Sequence, residues 1–183
     1  MGRAKGTAFF HDEEYVKQTY GPDAWARVLA AMPAAAAEVR SSIVAVGWYD
    51  DTLLVETLRT VEEVLRERDP RIIETLGRFA AEQDLTRIHR VFLRMASPAF
   101  VLERATNLWR RFFDSGRWEV KPAEGGVDGL LIDSAIVHDV FCRNLQGYLQ
   151  RLFELVGAKD VTVGHPECRV QGGALCRFAI RWT

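Results

Sequence analysis

The chain has 183 residues, which is enough for one domain and short for two. Its apolar fraction of 48% can fill a packed core, and Lys+Arg 24 against Asp+Glu 25 gives a formal net charge of -1. That balance argues against a nucleic-acid-binding module, which carries a clear basic excess. No apolar run approaches the ~20 residues of a membrane-spanning helix, so we expect neither a nucleic-acid nor a membrane partner.

The N-terminus and the cysteines bear on the cellular compartment. Residues 1–10 contain two basic residues but no long apolar core before Asp12, so they do not form a secretory signal. Three cysteines are an odd number and favour a reducing cytoplasm over a disulfide scaffold. We therefore predict one cytoplasmic domain over residues 1–183, with a mainly helical part at 1–115 and a second part at 116–183.

The first part of the chain has helical spacing throughout. Apolar residues recur every three or four positions, and the segments are bounded by Gly, Pro and capping residues. Asp84 is interpreted as the cap that separates two helices between 70 and 95. The predicted helices lie at 12–20, 23–32, 34–37, 52–69, 70–79, 84–95 and 98–115.

After Gly116 the apolar pattern changes from helical to alternating. Two alternating segments at 118–132 flank a turn that contains Pro122 and two glycines, which is typical of a hairpin. A long helix from Ser134 to Gly157 follows, and a second alternating pair spans 161–182. Helices followed by a ββ-α-ββ unit predict an α+β fold with a four-stranded antiparallel sheet.

Three thiols and one imidazole are predicted to meet in this second part. Cys168 and Cys176 lie at facing strand ends, and alternation points both Cys176 and His165 toward the core. Cys142 lies on the apolar stripe of the long helix, which packs on the same face of the sheet. Three sulfurs and one nitrogen suit a closed tetrahedral zinc site. Core cysteines without a metal are the alternative, because free cysteine often behaves as a small buried apolar residue.

The cysteine pattern resembles that of the 4-vinyl reductase domain family over roughly residues 112–183. The matching features are Cys168 and Cys176 with glycine between them, Phe178 beyond the second cysteine, and Cys142 on the preceding helix. This family includes the sensory domains of aromatic-responsive bacterial activators. It is related in fold to TRAPP vesicle-transport subunits and, more loosely, to nitric-oxide signalling domains.

The resemblance implies a structural zinc with a changed donor set. In the activator sensory domains zinc is held by a helix cysteine, an acidic residue and two further cysteines. Here His165 stands at the acidic position, so the implied ligands are Cys142, His165, Cys168 and Cys176. Glu167 is the less suitable substitute, because it points to the other face of its strand.

A second resemblance concerns haem. Residues 5–8 and 20–25 look like the opening of haem nitric-oxide-binding domains, but the Tyr-x-Ser-x-Arg motif that anchors the porphyrin carboxylates there is absent from this chain. His89 lies beside Ile88 and Phe92 and could ligate iron. We interpret it instead as a residue at the boundary between core and surface. His11 and His138 lie beside charged residues and are interpreted as surface or cap positions. We therefore expect no haem.

Aromatic residues before and within the hairpin are candidates for a ligand pocket. Phe100, Trp109, Phe113 and Trp118 could line an apolar site for an aromatic effector, as the resemblance implies, with core packing as the alternative. The broad apolar stripe at 108–113 also predicts a homodimer.

No catalytic triad, phosphate loop, dinucleotide fingerprint or pair of catalytic carboxylates is recognisable, so we predict that the chain is not an enzyme. The leading hypothesis is a sensory or regulatory module that binds an apolar or aromatic small molecule and carries a structural zinc. A homodimerising adaptor with a protein partner and no ligand is the first alternative. An accessory protein of tetrapyrrole metabolism is the second.

Overall fold

The computed structural model describes residues 2–93 and 107–183, with side chains given outside 85–93. Its helices are α1 (Thr7–Tyr20), α2 (Pro22–Ala31), α3 (Ala34–Ser41), α4 (Thr52–Leu65), α5 (Ile72–Leu93), α6 (107–112) and α7 (Asp139–Leu155). Its strands are β1 (Arg3–Lys5), β2 (Trp48–Asp50), β3 (Arg117–Ala123), β4 (Gly126–Ile132), β5 (Thr162–Glu167) and β6 (Cys176–Arg181).

The second part of the chain forms the predicted antiparallel sheet, in the strand order β3-β4-β6-β5. The predicted α+β class and four-stranded sheet are therefore confirmed. A small two-stranded sheet of β1 and β2 was not predicted, because strands of three residues leave too little alternation to recognise. Within the described ranges, no helix has both the length and the apolar character needed to cross a membrane.

Helix α5 is continuous from Ile72 to Leu93, so the prediction of two helices between 70 and 95 is wrong. The segment Ala80-Ala-Glu-Gln83 consists of strong helix formers and contains neither Gly nor Pro, so nothing ends the helix before Asp84. Asp84 is not a cap. Its side chain instead receives hydrogen bonds from α1 and α7.

Helix α7 begins later than predicted, at Asp139 rather than Ser134. His138 has extended backbone angles, and its Nδ1 accepts a hydrogen bond from the Val140 N–H at 3.3 Å. This confirms the interpretation of His138 as a cap position.

Helices α5 and α7 cross in close contact and join the helical part to the sheet. The crossing requires glycine on both helices: a Cβ on Gly77 would lie 1.9 Å from the Asn144 carbonyl oxygen, and one on Gly147 would lie 2.0 Å from the Glu74 carbonyl oxygen. Beside the crossing, Arg78 donates two hydrogen bonds to the Glu154 carboxylate at 2.9 and 2.8 Å. The position of α7 is therefore fixed by backbone contact.

The sheet face that α7 covers carries the buried side chains of β6. Cys176, Phe178 and Ile180 alternate with partly exposed residues along this strand, as predicted. The register of β5 against β6 shifts between Gly164 and Glu167, which is the irregularity of a β-bulge. Beyond it, Cys168 lies at the start of a short 3-10 turn, Arg169–Gln171.

Candidate functional site

A cluster of three thiols and one imidazole lies between α7 and the β5–β6 hairpin. The Sγ atoms of Cys142, Cys168 and Cys176 and a ring nitrogen of His165 all lie within 4.8 Å of one another. Cys142 comes from the first turns of α7, and the other three residues come from the hairpin. The structure therefore brings together the four residues that the sequence indicated.

The spacing of the sulfurs suits a tetrahedral metal site. The Sγ atoms of Cys142 and Cys168 are 3.9 Å apart, and all three cysteines are free thiols. Zn–S bonds of about 2.3 Å in a tetrahedron place two sulfurs about 3.8 Å apart. The observed separation matches that edge, whereas a disulfide needs about 2.05 Å.

The surroundings of the cluster favour the ionised form of one thiol, Cys176. The hydrogen bond from the Cys142 thiol is the main cause that lowers the pKa of Cys176 to about 4, with smaller effects from His165 and the Arg169 backbone N–H, against the opposing effect of burial. The same hydrogen bond, together with burial, raises the pKa of Cys142. A thiolate is the form in which cysteine binds a metal.

His165 is oriented by an aromatic stack. Its ring lies parallel to that of Phe178, with centroids 4.4 Å apart and an interplanar angle of 3°. Its Nε2 atom is buried and has no hydrogen-bond partner. A buried ring nitrogen without a partner is rare, because desolvating it is unfavourable, and a bound metal ion would satisfy it.

An apolar cavity of about 130 Å³ lies between the helical part and the sheet. Trp109, Phe113 and Trp118 line it, as predicted, together with Phe141 of α7, which the sequence analysis did not include. Trp109 stacks on Phe113 at 4.3 Å and makes edge contacts with Trp118 and Phe141. Phe100, the fourth predicted pocket residue, lies outside the described residues.

One end of this cavity is polar, and the sequence analysis did not predict it. His11, Asp12, Asp84 and Tyr148 all belong to its lining. The Nε2 atom of His11 lies 2.8 Å from an Asp84 carboxylate oxygen, and the Tyr148 hydroxyl donates to the other oxygen at 3.2 Å. Burial, reinforced by the Asp84 charge, raises the pKa of Tyr148 and keeps its hydroxyl protonated.

The interpretation of His11 as a surface or cap residue is wrong. Its side chain and that of Asp12 are buried, because the face of α1 that bears Phe9 and Val16 turns toward the core. A signal was present in the sequence: Asp12 follows Phe9 by three positions and precedes Val16 by four, which places a carboxylate on an apolar helix face. Burial raises the pKa of Asp12 to about 6, and the nearby Arg40 and His11 oppose this shift.

Two atoms at the polar end have no hydrogen-bond partner among the described residues, although both belong to buried side chains. They are Nδ1 of His11 and Oδ2 of Asp12, on residues that are 6% and 4% exposed.

Aromatic rings connect the thiol–imidazole cluster with the cavity. His165 stacks on Phe178, Phe178 contacts Trp118 at 5.6 Å, and Trp118 contacts Trp109 at 6.0 Å. Trp118 fits against the sheet because position 129 on the neighbouring strand is glycine. A Cβ there would lie 2.7 Å from the indole ring.

Comparison with solved structures identifies the fold. An H-NOX protein from S. oneidensis, in the Fe(II) state as a triple mutant and in the Fe(II)NO ligation state, gives TM-scores of 0.72 and 0.71 at 13% identity. These alignments cover 98% of this chain and 96% and 99% of the two neighbours. An Fe(II) unliganded H-NOX protein from K. algicida gives 0.67 at 13% identity, with 98% and 96% coverage. No family model matches the chain, and no curated protein sequence matches it.

At this level of identity the likeness concerns the fold alone. It agrees with the predicted relationship to nitric-oxide signalling domains, and it does not single out the 4-vinyl reductase family that the cysteine pattern resembles.

The expectation of no haem is contradicted by the comparison. The neighbours are described in iron ligation states, and another, from work on haem distortion in the H-NOX family, gives a TM-score of 0.58 at 15% identity over 98% of this chain and 95% of that one. The expectation relied on the absence of one short motif and on the context of His89, whose side chain lies outside the described residues. A cofactor site is formed by positions that the fold brings together, so one missing linear motif does not exclude it.

Proposed function

We propose that this chain is a sensory or regulatory domain that binds a small molecule in the cavity between its helical part and its sheet. The observation that carries the proposal is the combination of an aromatic wall with two buried, unpartnered polar atoms at one end. Ligand sites commonly have this composition, with a few polar groups that orient a ligand inside an apolar cavity. The neighbours are binding proteins, which supports the non-enzymatic prediction.

Haem is the first ligand to test, because the neighbours' descriptions name iron states and haem. One feature of the cavity bears on metal binding: an imidazole with one nitrogen engaged by a carboxylate and the other without a partner has the arrangement of a metal-ligating histidine. His11 is that residue. The cavity is too small for haem as it stands, because its volume of about 130 Å³ is close to the roughly 150 Å³ of a cavity that takes up benzene. A macrocycle therefore requires the walls to move outward.

Titration of the purified protein with haemin tests this directly. Stoichiometric binding gives a Soret band and quenches the fluorescence of Trp109 and Trp118, and His11→Ala removes or shifts the band if His11 ligates the iron. His138→Ala is the matched control, because His138 caps α7 away from the cavity. If haemin does not bind, the same fluorescence signal serves to screen small aromatic compounds. Failure of both haemin and these compounds to bind would refute a ligand-binding function.

We also propose that Cys142, His165, Cys168 and Cys176 hold a structural zinc. The tetrahedral spacing of the sulfurs and the orphaned Nε2 of His165 support this. The ion would tie the start of α7 to the end of the β5–β6 hairpin and would add to the stability of the fold. Elemental analysis of freshly purified protein is expected to show one zinc per chain. Protein that is fully folded and free of metal would refute the site.

A further inference from the structure

Among the described lining residues, the polar end of the cavity presents acceptor atoms without partners, and no donor there lacks a partner. Asp84 accepts from both the Tyr148 hydroxyl and the His11 ring, so its two oxygens are engaged within the protein. A neutral imidazole that donates from Nε2 carries its lone pair on Nδ1. In that tautomer Nδ1 of His11 is an acceptor, as is Oδ2 of Asp12, and neither atom has a hydrogen-bond partner among the described residues.

Leaving two such atoms buried is unfavourable for the fold, and a ligand with several donors on one atom would satisfy both. A primary ammonium group carries three N–H donors and a positive charge. Among the described lining residues there are two carboxylates, Asp12 and Asp84, and no lysine or arginine, while the Arg40 guanidinium outside the lining offsets part of the Asp12 charge. A carboxylate or phosphate group would meet like charge at this end.

The remainder of the cavity suits an aromatic ring. Trp109, Phe113, Trp118 and Phe141 supply ring faces and edges to the same cavity. Electron-rich indole faces also attract a nearby cation. The volume of about 130 Å³ limits the occupant to about one ring with a short arm, by comparison with the benzene-sized cavity of roughly 150 Å³.

We propose that this cavity binds a small primary arylalkylamine, one aromatic ring with a short aminoalkyl arm, in its protonated form. The ammonium donates to Asp12 Oδ2 and His11 Nδ1, and the ring lies among Trp109, Trp118 and Phe141. This inference rests on the proposed small-molecule function and names the chemical class of its ligand. Asp12 and His11 are the residues that determine specificity.

A series of compounds of one shape tests the role of the ammonium group. Benzylamine, benzyl alcohol, toluene and benzoate share the ring and differ in the group that would meet Asp12. We expect calorimetric titration at neutral pH to show benzylamine binding at least tenfold tighter than benzyl alcohol, with toluene weaker still and benzoate unbound. Competition with haemin for the same protein shows whether the amine occupies the same cavity.

Two variants test whether Asp12 and His11 recognise the ammonium group. Asp12→Asn keeps the shape of the side chain and removes its charge, so it should abolish the preference of benzylamine over benzyl alcohol while toluene binding stays unchanged. His11→Gln should weaken benzylamine binding several-fold. Asp23→Asn is the matched control, because it removes one exposed carboxylate at the start of α2, and it should change nothing. Far-UV circular dichroism verifies that each variant is folded.

The outcomes separate this inference from the proposed function. Equal affinity for benzylamine, benzyl alcohol and toluene would overturn the amine proposal and leave a ligand-binding cavity. An unchanged benzylamine preference in Asp12→Asn would likewise overturn it. If none of the four compounds binds, the amine proposal fails, and haemin binding alone then decides the proposed function.

Discussion

The glycine crossing between α5 and α7 leads to a quantitative prediction for Gly147→Ala. The new Cβ would lie 2.0 Å from the Glu74 carbonyl oxygen, whereas ordinary contact begins at 3.4 Å. The obstructing atom is backbone, so no side-chain rotation relieves the overlap and the two helices must move apart.

Two opposing contributions set the size of the effect. Alanine in place of glycine stabilises a helix interior by about 1 kcal/mol, and overpacking of a close contact costs about 1–3 kcal/mol, occasionally more. Because the contact here is with backbone, we place the cost at the upper end and expect a net loss of about 2 kcal/mol. For a chain of this length that corresponds to a fall in Tm of about 4–8 °C.

Thermal and urea unfolding followed by far-UV circular dichroism measure the loss. Gly164→Ala is the control, because its Cβ would have no neighbour closer than 3.8 Å, and it should change Tm little. A Gly147→Ala variant as stable as the wild type, or a Gly164→Ala variant equally destabilised, would refute the reasoning.

Further predictions concern the metal, the buried carboxylate and assembly. Cys168→Ser should lose zinc and lower Tm, as measured by elemental analysis and thermal unfolding, and full zinc retention in His165→Ala would show that the fourth ligand is wrong. Burial raises the pKa of Asp12 from 3.8 to about 6 against Arg40 and His11, so the folded state binds the proton more tightly and the free energy of unfolding should fall by about 2 kcal/mol as pH rises from about 4 to 6. Asp12→Asn should lack this fall in urea titrations at stepped pH, and an unchanged profile would contradict the assignment. The homodimer stays a prediction, which light scattering over a concentration series tests. A mass near 20.7 kDa at every concentration would exclude the dimer. Trp109 of the apolar stripe at 108–113 is buried within its own chain, so it is not available for a dimer interface.

The metal cluster could be predicted from the sequence because local rules place its members. Strand alternation turns Cys176 inward together with Phe178, the hairpin brings Cys168 opposite, and helical spacing puts Cys142 on the apolar stripe of α7. Each of these inferences needs only the residues of one element and its turn. The fold class followed in the same way from the order of the elements.

The polar end of the cavity could not be predicted, because its residues come from three helices far apart in the chain. His11, Asp84 and Tyr148 form one hydrogen-bonded group only after α1, α5 and α7 have packed. In sequence, Asp84 has the properties of an N-cap, and His11 precedes three acidic residues that indicate a solvated face. Tertiary packing overrode both local signals.

Two consecutive residues of helix α7 belong to two different sites: Phe141 lines the cavity, and Cys142 belongs to the thiol cluster. Neighbouring residues of a helix point about 100° apart, and a rigid helix cannot turn one of them without turning the other. Any rotation of α7 that accommodates an occupant of the cavity therefore alters the distance from Cys142 to the hairpin sulfurs. If the proposed zinc and the proposed ligand both bind, their affinities are linked, and the linkage is reciprocal: the factor by which zinc would tighten ligand binding equals the factor by which the ligand would tighten zinc binding.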